Sequence, residues 1–185
     1  IEIERLAPFQ ARGTEVPVVL DLMVHDIDLI LEMVNSPIQN ISASGAKMMS
    51  ETIDLAHAHI KFENGVVANL KSSRIARNYV RKIRTYQKNL YSITDLMIPQ
   101  TELYGLENNN KFSSNAKTQL IKTQSGEKTL YYEKFIPRNN DALFEEINDF
   151  VRSINLRSSP IVDGQAGLNA LKIALEIENK IFLNE

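Results

Sequence analysis

The chain has 185 residues, of which 43% are hydrophobic and 24% are charged, a composition typical of a globular domain with a sizeable core. The formal net charge of −2 gives no reason to expect nucleic acid or an anionic membrane surface as a partner. The absence of cysteine excludes disulfides and thiolate chemistry, and we expect a cytoplasmic protein. No apolar run approaches the roughly 18 residues of a membrane span.

The first residues, IEIERLA, alternate Ile1 and Ile3 with Glu2 and Glu4, a pattern that predicts a β-strand. Residue 1 is Ile rather than Met, and the strand pattern starts at once. We therefore expect residues 1–185 to be one domain of a longer protein, although a processed or tagged chain would look the same.

From Val18 the apolar residues recur at helical spacing and predict a helix, which Pro37 ends because proline cannot continue it. A series of strands follows, with Asn64-Gly65 as the turn of one hairpin, since this pair tolerates positive φ. The predicted strands cover residues 38–48, with a possible bulge at Gly45, and residues 55–62, 66–73, 80–87, 90–95 and 98–104.

Residues 105–128 are rich in Asn, Ser, Lys and Gly, and they predict a loop or an extended hairpin before a strand at 129–135. Two helices then end the chain, the first capped by Asn140 or Asp141 and running to about Asn155, the second capped by Asp163. The predicted buried stripe of the first is Leu143, Phe144, Ile147, Phe150, Val151 and Ile154, and the apolar set of the second includes Leu168, Leu171, Leu175 and Ile177.

The predicted elements are a strand, a helix, a long run of strands and two helices. This grouping predicts an α+β fold with a large, mainly antiparallel open sheet of about six strands and helices on one face.

The stretch LDLMVHDIDLIL places ionisable residues within an apolar helical pattern. Asp21, His25 and Asp28 share one helical stripe, and Asp26 lies about a quarter-turn away. Ionisable groups on a buried helix are costly unless they are paired or used, and His beside carboxylates is typical of a general-base site. The alternative is that the stripe simply faces solvent.

Five segments carry a resemblance to a known family. RLAPF at 5–9, DLMVHDID at 21–28, FENG at 62–65, SSR at 72–74 and PIVDGQAGL at 160–168 resemble the C-terminal domain of the glucose–fructose oxidoreductase/inositol dehydrogenase (Gfo/Idh/MocA) family. Members of that family pair this domain with an N-terminal Rossmann domain and transfer hydride between NAD or NADP and a carbohydrate or cyclitol hydroxyl.

The resemblance implies roles for individual residues. Asp21 and His25 match the catalytic pair, and Asp28 matches an acid that contacts substrate. The RLAPFxxRG segment is most similar to relatives that oxidise nucleotide-linked amino sugars, which adds Arg12 as a substrate contact. The chain contains neither the family's Glu-Lys-Pro nor a G-x-G-x-x-G, so we expect the missing N-terminal domain to hold most of the cofactor.

Three further groups of residues allow two interpretations each. His57 and His59 could share a metal, but with no third ligand nearby we expect a polar sheet face or an oligomer interface and no metal site. Arginines near the strand ends could bind phosphate or form ion pairs, and tyrosines on strands could stack on a sugar or be ordinary sheet residues. The arginines are Arg5, Arg12, Arg74, Arg77, Arg81 and Arg84, and the tyrosines are Tyr86, Tyr91, Tyr104, Tyr131 and Tyr132.

The interpretation we adopt is the substrate-binding and oligomerisation domain of an NAD(P)-dependent oxidoreductase acting on a sugar or nucleotide sugar, a homo-oligomer through its open sheet face. One alternative is a non-catalytic family member that serves as an assembly or regulatory platform. Another is a free-standing α+β binding module.

Overall fold

A computed structural model of the protein describes residues 1–106, 112–124, 126–137 and 141–183. The strands in these ranges are β1 (Glu2–Leu6), β2 (Ile38–Ala46), β3 (Leu55–Phe62), β4 (Val67–Ser73), β5 (Val80–Gln87), β6 (Leu90–Asp95), β7 (Gln100–Gly105), β8 (Lys117–Thr123) and β9 (Gly126–Phe135). The helices are α1 (Val24–Met33), preceded directly by a π-helical turn (Val19–Met23), α2 (Ala142–Leu156) and α3 (Gly164–Phe182).

The nine strands found in the described ranges form one open sheet in the order β2-β3-β4-β1-β5-β6-β7-β9-β8. All neighbouring strands are antiparallel except β1 and β4, which are parallel. The predicted α+β fold with a mainly antiparallel open sheet is confirmed. The expected number of about six strands is wrong, in part because the segment predicted as a loop or extended hairpin pairs β8 with β9.

The core lies between one face of β1 to β4 and the helices α1 and α3. On β3 the predicted alternation holds, since Ala56, Ala58, Ile60 and Phe62 are buried and the residues between them are not. α1 and the π-helical turn contribute Met23, Ile27 and Ile30 to this layer, and α3 contributes Ala170, Ala174, Ile177 and Ile181. Neither α1 nor α3 packs on the opposite face of the sheet, which we call the open face.

The predicted bulge at Gly45 is wrong. Gly45 pairs regularly with Ala56, and the register instead shifts between Ile38 and Asn40. A Cβ at position 45 would lie 3.0 Å from side-chain atoms of both Ile181 and Ile53. The absence of a side chain at position 45 therefore suits the close approach of α3 to β2, since a Cβ there would force Ile181 and Ile53 to move by a few tenths of an ångström.

The predicted helix ends are largely confirmed, but the predicted buried stripe of α2 is not. Asp141 caps α2 by accepting hydrogen bonds from the backbone N–H of Leu143 and Phe144, and Asp163 caps α3 through the N–H of Ala166; the alternative cap Asn140 lies outside the described residues. The predicted α2 stripe is exposed by 48 to 64%, because no layer of the described residues covers that face. In α3 only Ile177 of the predicted set is buried, and small residues at 170 and 174 make the contact instead.

Among the described residues, no helix combines the length and the apolar character that crossing a bilayer requires.

Candidate active site

The helical segment formed by the π-helical turn and α1 carries the polar stripe that the sequence predicts. Asp21 and His25 are exposed and Asp28 is half-buried, whereas Met23 and Ile27 between them are fully buried. The helix therefore presents an acid and an imidazole to solvent from a backbone held firmly by the core.

The π-helical turn is a feature that the sequence analysis missed. The N–H of Val24 donates to the carbonyl of Val19, five residues earlier, so one extra residue is accommodated in this turn. Asp21 lies inside the widened turn and His25 just after it, so Asp21 is rotated about the helix axis relative to its position in a regular helix. Widened turns of this kind occur often at functional sites, and no residue pattern in the chain signals this one.

Asp26, next to His25, is fixed by an ion pair to Arg5 on β1. Arg5 Nε lies 3.0 Å from both carboxylate oxygens of Asp26, and Arg5 Nη2 lies 2.6 Å from Oδ1. Both residues are buried, and the Asp26 side chain is almost wholly removed from solvent. Burial raises the pKa of Asp26, and the hydrogen bonds and positive charge of Arg5 oppose that rise.

This pair joins the centre of the sheet to the middle of the candidate site, since Asp26 lies between His25 and Asp28. Arg5 shares the buried face of β1 with Ile3 and points toward the core. Its partner, 21 residues away, could not be identified from local spacing.

The loop that carries Arg12 is held in place by two neighbouring side chains. Arg74 donates hydrogen bonds to the carbonyl oxygens of Gly13, at 3.2 Å, and Val16. The hydroxyl of Thr52 donates to the carbonyl of Thr14 at 2.7 Å. Arg12 itself is exposed on this fixed loop.

Arg74 is in turn paired with the buried carboxylate of Asp54, whose Oδ1 lies 3.6 Å from Arg74 Nε. Burial opposes ionisation of Asp54, but hydrogen bonds from the Ser50 hydroxyl and from the backbone N–H groups of Met49, Met48 and Ser50 outweigh it and lower its pKa to about 2. Asp54 therefore stays ionised and organises the turn before β3.

Asp28 lines a groove of about 700 Å³ between α1 and the start of α3, whereas Asp21 and His25 lie outside its lining. The walls are mostly apolar, and the further polar residues of the lining are Glu32, Asn35, Ser36, Asn169 and Lys172. The structure thus places Asp28 in the wall of this groove, whereas Asp21 and His25 lie on a solvent-exposed part of the helical segment.

The two histidines on β3 lie on the open face, on the other side of the sheet from α1. His59 Nδ1 lies 2.7 Å from Asn69 Oδ1, and His57 is flanked by Ser44 and Lys71 on the adjacent strands. The described residues contain no group of three His, Cys, Asp or Glu side chains placed to hold a metal. That the chain takes no metal stays a prediction.

Four tyrosines form a row across the open face, one on each of β5, β6, β7 and β9. Successive ring centroids lie 5.0, 5.9 and 5.0 Å apart along Tyr86, Tyr91, Tyr104 and Tyr132. The sheet separates this row from His25, so these rings do not line the candidate site. The fifth, Tyr131, points to the other face and stacks on Phe112 with centroids 5.5 Å apart.

Comparison with known proteins gives a consistent family assignment. Residues 9–88 match the model of the GFO/IDH/MocA C-terminal domain. A UDP-N-acetylglucosamine 3-dehydrogenase from Acidithiobacillus ferrooxidans is 30% identical over 177 residues, which are 96% of this chain and 52% of that protein. A myo-inositol 2-dehydrogenase from Thermotoga maritima is 22% identical over 90% of this chain and 49% of its own length.

The solved structure of the Acidithiobacillus ferrooxidans enzyme superposes with a TM-score of 0.82 at 29% identity, covering 97% of this chain and 53% of that one. The chain thus spans about half the length of the curated relatives it matches. The family model thus matches residues 9–88, and the similarity in sequence and fold to a dehydrogenase extends over nearly the whole chain, which corresponds to about half of that protein.

Proposed function

We propose that residues 1–185 are the substrate-binding and oligomerisation domain of an NAD(P)-dependent dehydrogenase that oxidises a hydroxyl of a sugar or nucleotide sugar. The observation that carries the proposal is the exposure of His25 and Asp21 on a helix whose neighbouring residues are buried. The relative at 30% identity acts on UDP-N-acetylglucosamine, so a UDP-linked sugar is the first substrate to test.

The described residues contain no neighbouring parallel strands joined by a single helix, the unit on which a Rossmann dinucleotide site is built. The one parallel strand pair, β1 and β4, is joined through α1, β2 and β3 rather than through a single helix, and no glycine-rich turn follows β1. We propose that NAD or NADP is held mainly by the N-terminal half of the protein and that this chain alone is inactive. The bound nicotinamide supplies the hydride acceptor.

The residues of this chain supply the acid–base chemistry. Oxidation of an alcohol to a carbonyl removes a hydride from carbon and a proton from oxygen, and the His25 imidazole accepts that proton. An imidazole suits this role because it gains and loses a proton near neutral pH. Asp21 orients the imidazole or binds a neighbouring hydroxyl, while Asp28 and Arg12 bind other parts of the substrate.

The test is His25→Ala in the full-length protein. Loss of a general base should lower kcat by roughly 10²–10⁴-fold. The melting temperature should be unchanged because the side chain is exposed. His57→Ala removes an exposed imidazole from the open face and should leave kcat unaltered. Turnover that survives His25→Ala would contradict the catalytic role, and no turnover in the unaltered protein would favour a non-catalytic family member.

We also propose that the open face pairs with a second copy of the chain. The row of Tyr86, Tyr91, Tyr104 and Tyr132 provides aromatic surface at low conformational cost, and such residues are enriched at protein interfaces. The absence of nucleic-acid and membrane partners and the cytoplasmic location stay predictions.

A further inference from the structure

The six arginines near the strand ends divide into two groups. Arg5 pairs with Asp26, Arg74 with Asp54, and Arg84 with Glu4 at 3.0 Å. The other three, Arg12, Arg77 and Arg81, are exposed, and no carboxylate among the described residues forms an ion pair with any of them.

The topology brings these three arginines to the same end of the neighbouring strands β4, β1 and β5. Leu6, at the end of β1, is in register with Ser73 at the end of β4 and with Val80 at the start of β5. The loops 7–17 and 74–79 therefore leave the sheet side by side. Arg12 lies in the first loop, Arg77 in the second.

The two loops are joined to each other and to the sheet by several hydrogen bonds. The N–H of Ala76 donates to the carbonyl of Ala7 at 3.0 Å, and Gln10 Nε2 donates to the hydroxyl of Tyr79 at 3.0 Å. Arg74 adds the contacts to the Arg12 loop described above. Glu15 is the single acidic residue in these two loops, so the loops together carry a net positive charge.

Arg81 extends this charge toward the candidate active site. It is the register partner of Arg5 on β5, so it shares the helix-side face of the sheet, and its charge acts on Asp26. Arg5 is neutralised by Asp26, but Arg81 is not. The unpaired charge thus lies beside the helix that bears His25.

We propose that Arg12, Arg77 and Arg81 form a diphosphate-binding subsite beside the His25 helix, which makes the substrate a nucleotide-linked sugar rather than a free cyclitol. The inference rests on the proposed dehydrogenase function and names its substrate class. Arginine suits this role because its planar guanidinium donates two parallel hydrogen bonds to phosphate oxygens. The pyrophosphate of a dinucleotide has the same chemistry, so the test must distinguish the two sources.

The experiment measures binding of UDP to the full-length protein, loaded with saturating NADH, by isothermal titration calorimetry. Arg77→Gln and Arg81→Gln should each raise the Kd for UDP by about 10- to 100-fold, the size expected for one charge-assisted hydrogen bond. Arg152→Gln removes an exposed positive charge from α2 and should leave the Kd unchanged. The Kd for NADH, measured separately, should stay within about twofold in all three variants.

Four outcomes would overturn the subsite: no UDP binding by the unaltered protein, an unchanged UDP Kd in Arg77→Gln and Arg81→Gln, an equal loss in Arg152→Gln, or a loss of NADH binding instead. These outcomes are separable from failure of the proposed function. If His25→Ala abolishes turnover while the arginine variants bind UDP normally, the dehydrogenase stands and the subsite falls. If UDP binding depends on the arginines but no sugar is oxidised, the subsite stands and the dehydrogenase falls.

Discussion

Replacing Arg5 by methionine should destabilise the protein far more than the small change in side-chain length suggests. Met is of similar length but carries no charge, so the substitution removes three N–H···O contacts of 2.6 to 3.0 Å and leaves the Asp26 carboxylate buried without a partner. Breaking a buried ion pair from one side costs about 3–5 kcal/mol. That is a large part of the free energy of unfolding, which is roughly 5–15 kcal/mol for a typical folded protein.

Two further variants separate this effect from a general loss of charge. Arg84→Met removes an arginine whose pair with Glu4 lies on the partly exposed open face, and it should cost at most about 1 kcal/mol. The double variant Arg5→Met/Asp26→Leu replaces both partners by apolar side chains and should recover most of the loss, because no unpaired charge then remains.

The measurement is urea unfolding followed by circular dichroism. In Arg5→Met, burial acts on Asp26 without the opposing arginine, so the pKa of Asp26 rises further above its unfolded value. A raised pKa in the folded state penalises folding as the pH rises above the unfolded value, so the deficit of Arg5→Met should shrink as the pH is lowered toward about 4. A deficit no larger than that of Arg84→Met, or one that is the same at every pH, would refute the reasoning.

Two other predictions concern a carboxylate and a surface. Asp54→Asn should cost about 1–3 kcal/mol at neutral pH, because hydrogen bonds from the turn before β3 lose their charged acceptor. Since the folded pKa of Asp54 is about 2 against an ordinary 3.8, this advantage of the native residue should disappear as the pH falls through that interval, and a difference that persists at the acid end of a melting series would contradict it. Tyr91→Asp, in the middle of the tyrosine row, should halve the mass measured by light scattering if the open face joins two copies, whereas Tyr79→Asp outside the row should not. An unaltered protein that is already monomeric at high micromolar concentration would remove the basis for that interface.

Sequence patterns were sufficient to predict the features that depend on residues close together in the sequence. The alternation of Ala56 to Phe62, the Asn64-Gly65 turn with its positive φ at Gly65, and the capping acids Asp141 and Asp163 all concern residues a few positions apart. The polar stripe on α1 was predicted for the same reason, although the widened turn before it was not, since a π turn has no characteristic residue pattern.

Partners distant in sequence could not be predicted in this way. The buried arginines Arg5 and Arg74 resembled the exposed Arg12 in the sequence, and only the packing of α1 on the sheet and of loop 7–17 on the turn before β3 distinguishes them. The apolar stripe of α2 shows a second limit of sequence patterns. An amphipathic pattern indicates that one face of a helix is suited to burial, but it does not show that the described residues supply the surface that buries it. Exposure of Phe144 and Phe150 is the result.

The position of β1 has a consequence for how the protein folds. The strand lies between β4 and β5, and the amino group of Ile1 donates to Val67, 66 residues along the chain. Without β1 the described strands would form two separate antiparallel groups, β2 to β4 and β5 to β9, in which every pairing except that of β7 with β9 joins strands consecutive in the chain. The pairing that unites them closes the longest loops among the strand pairings and is therefore expected to be slow. It must also be accurate, because a register error of one residue would turn Arg5 to the open face and leave Asp26 without its partner.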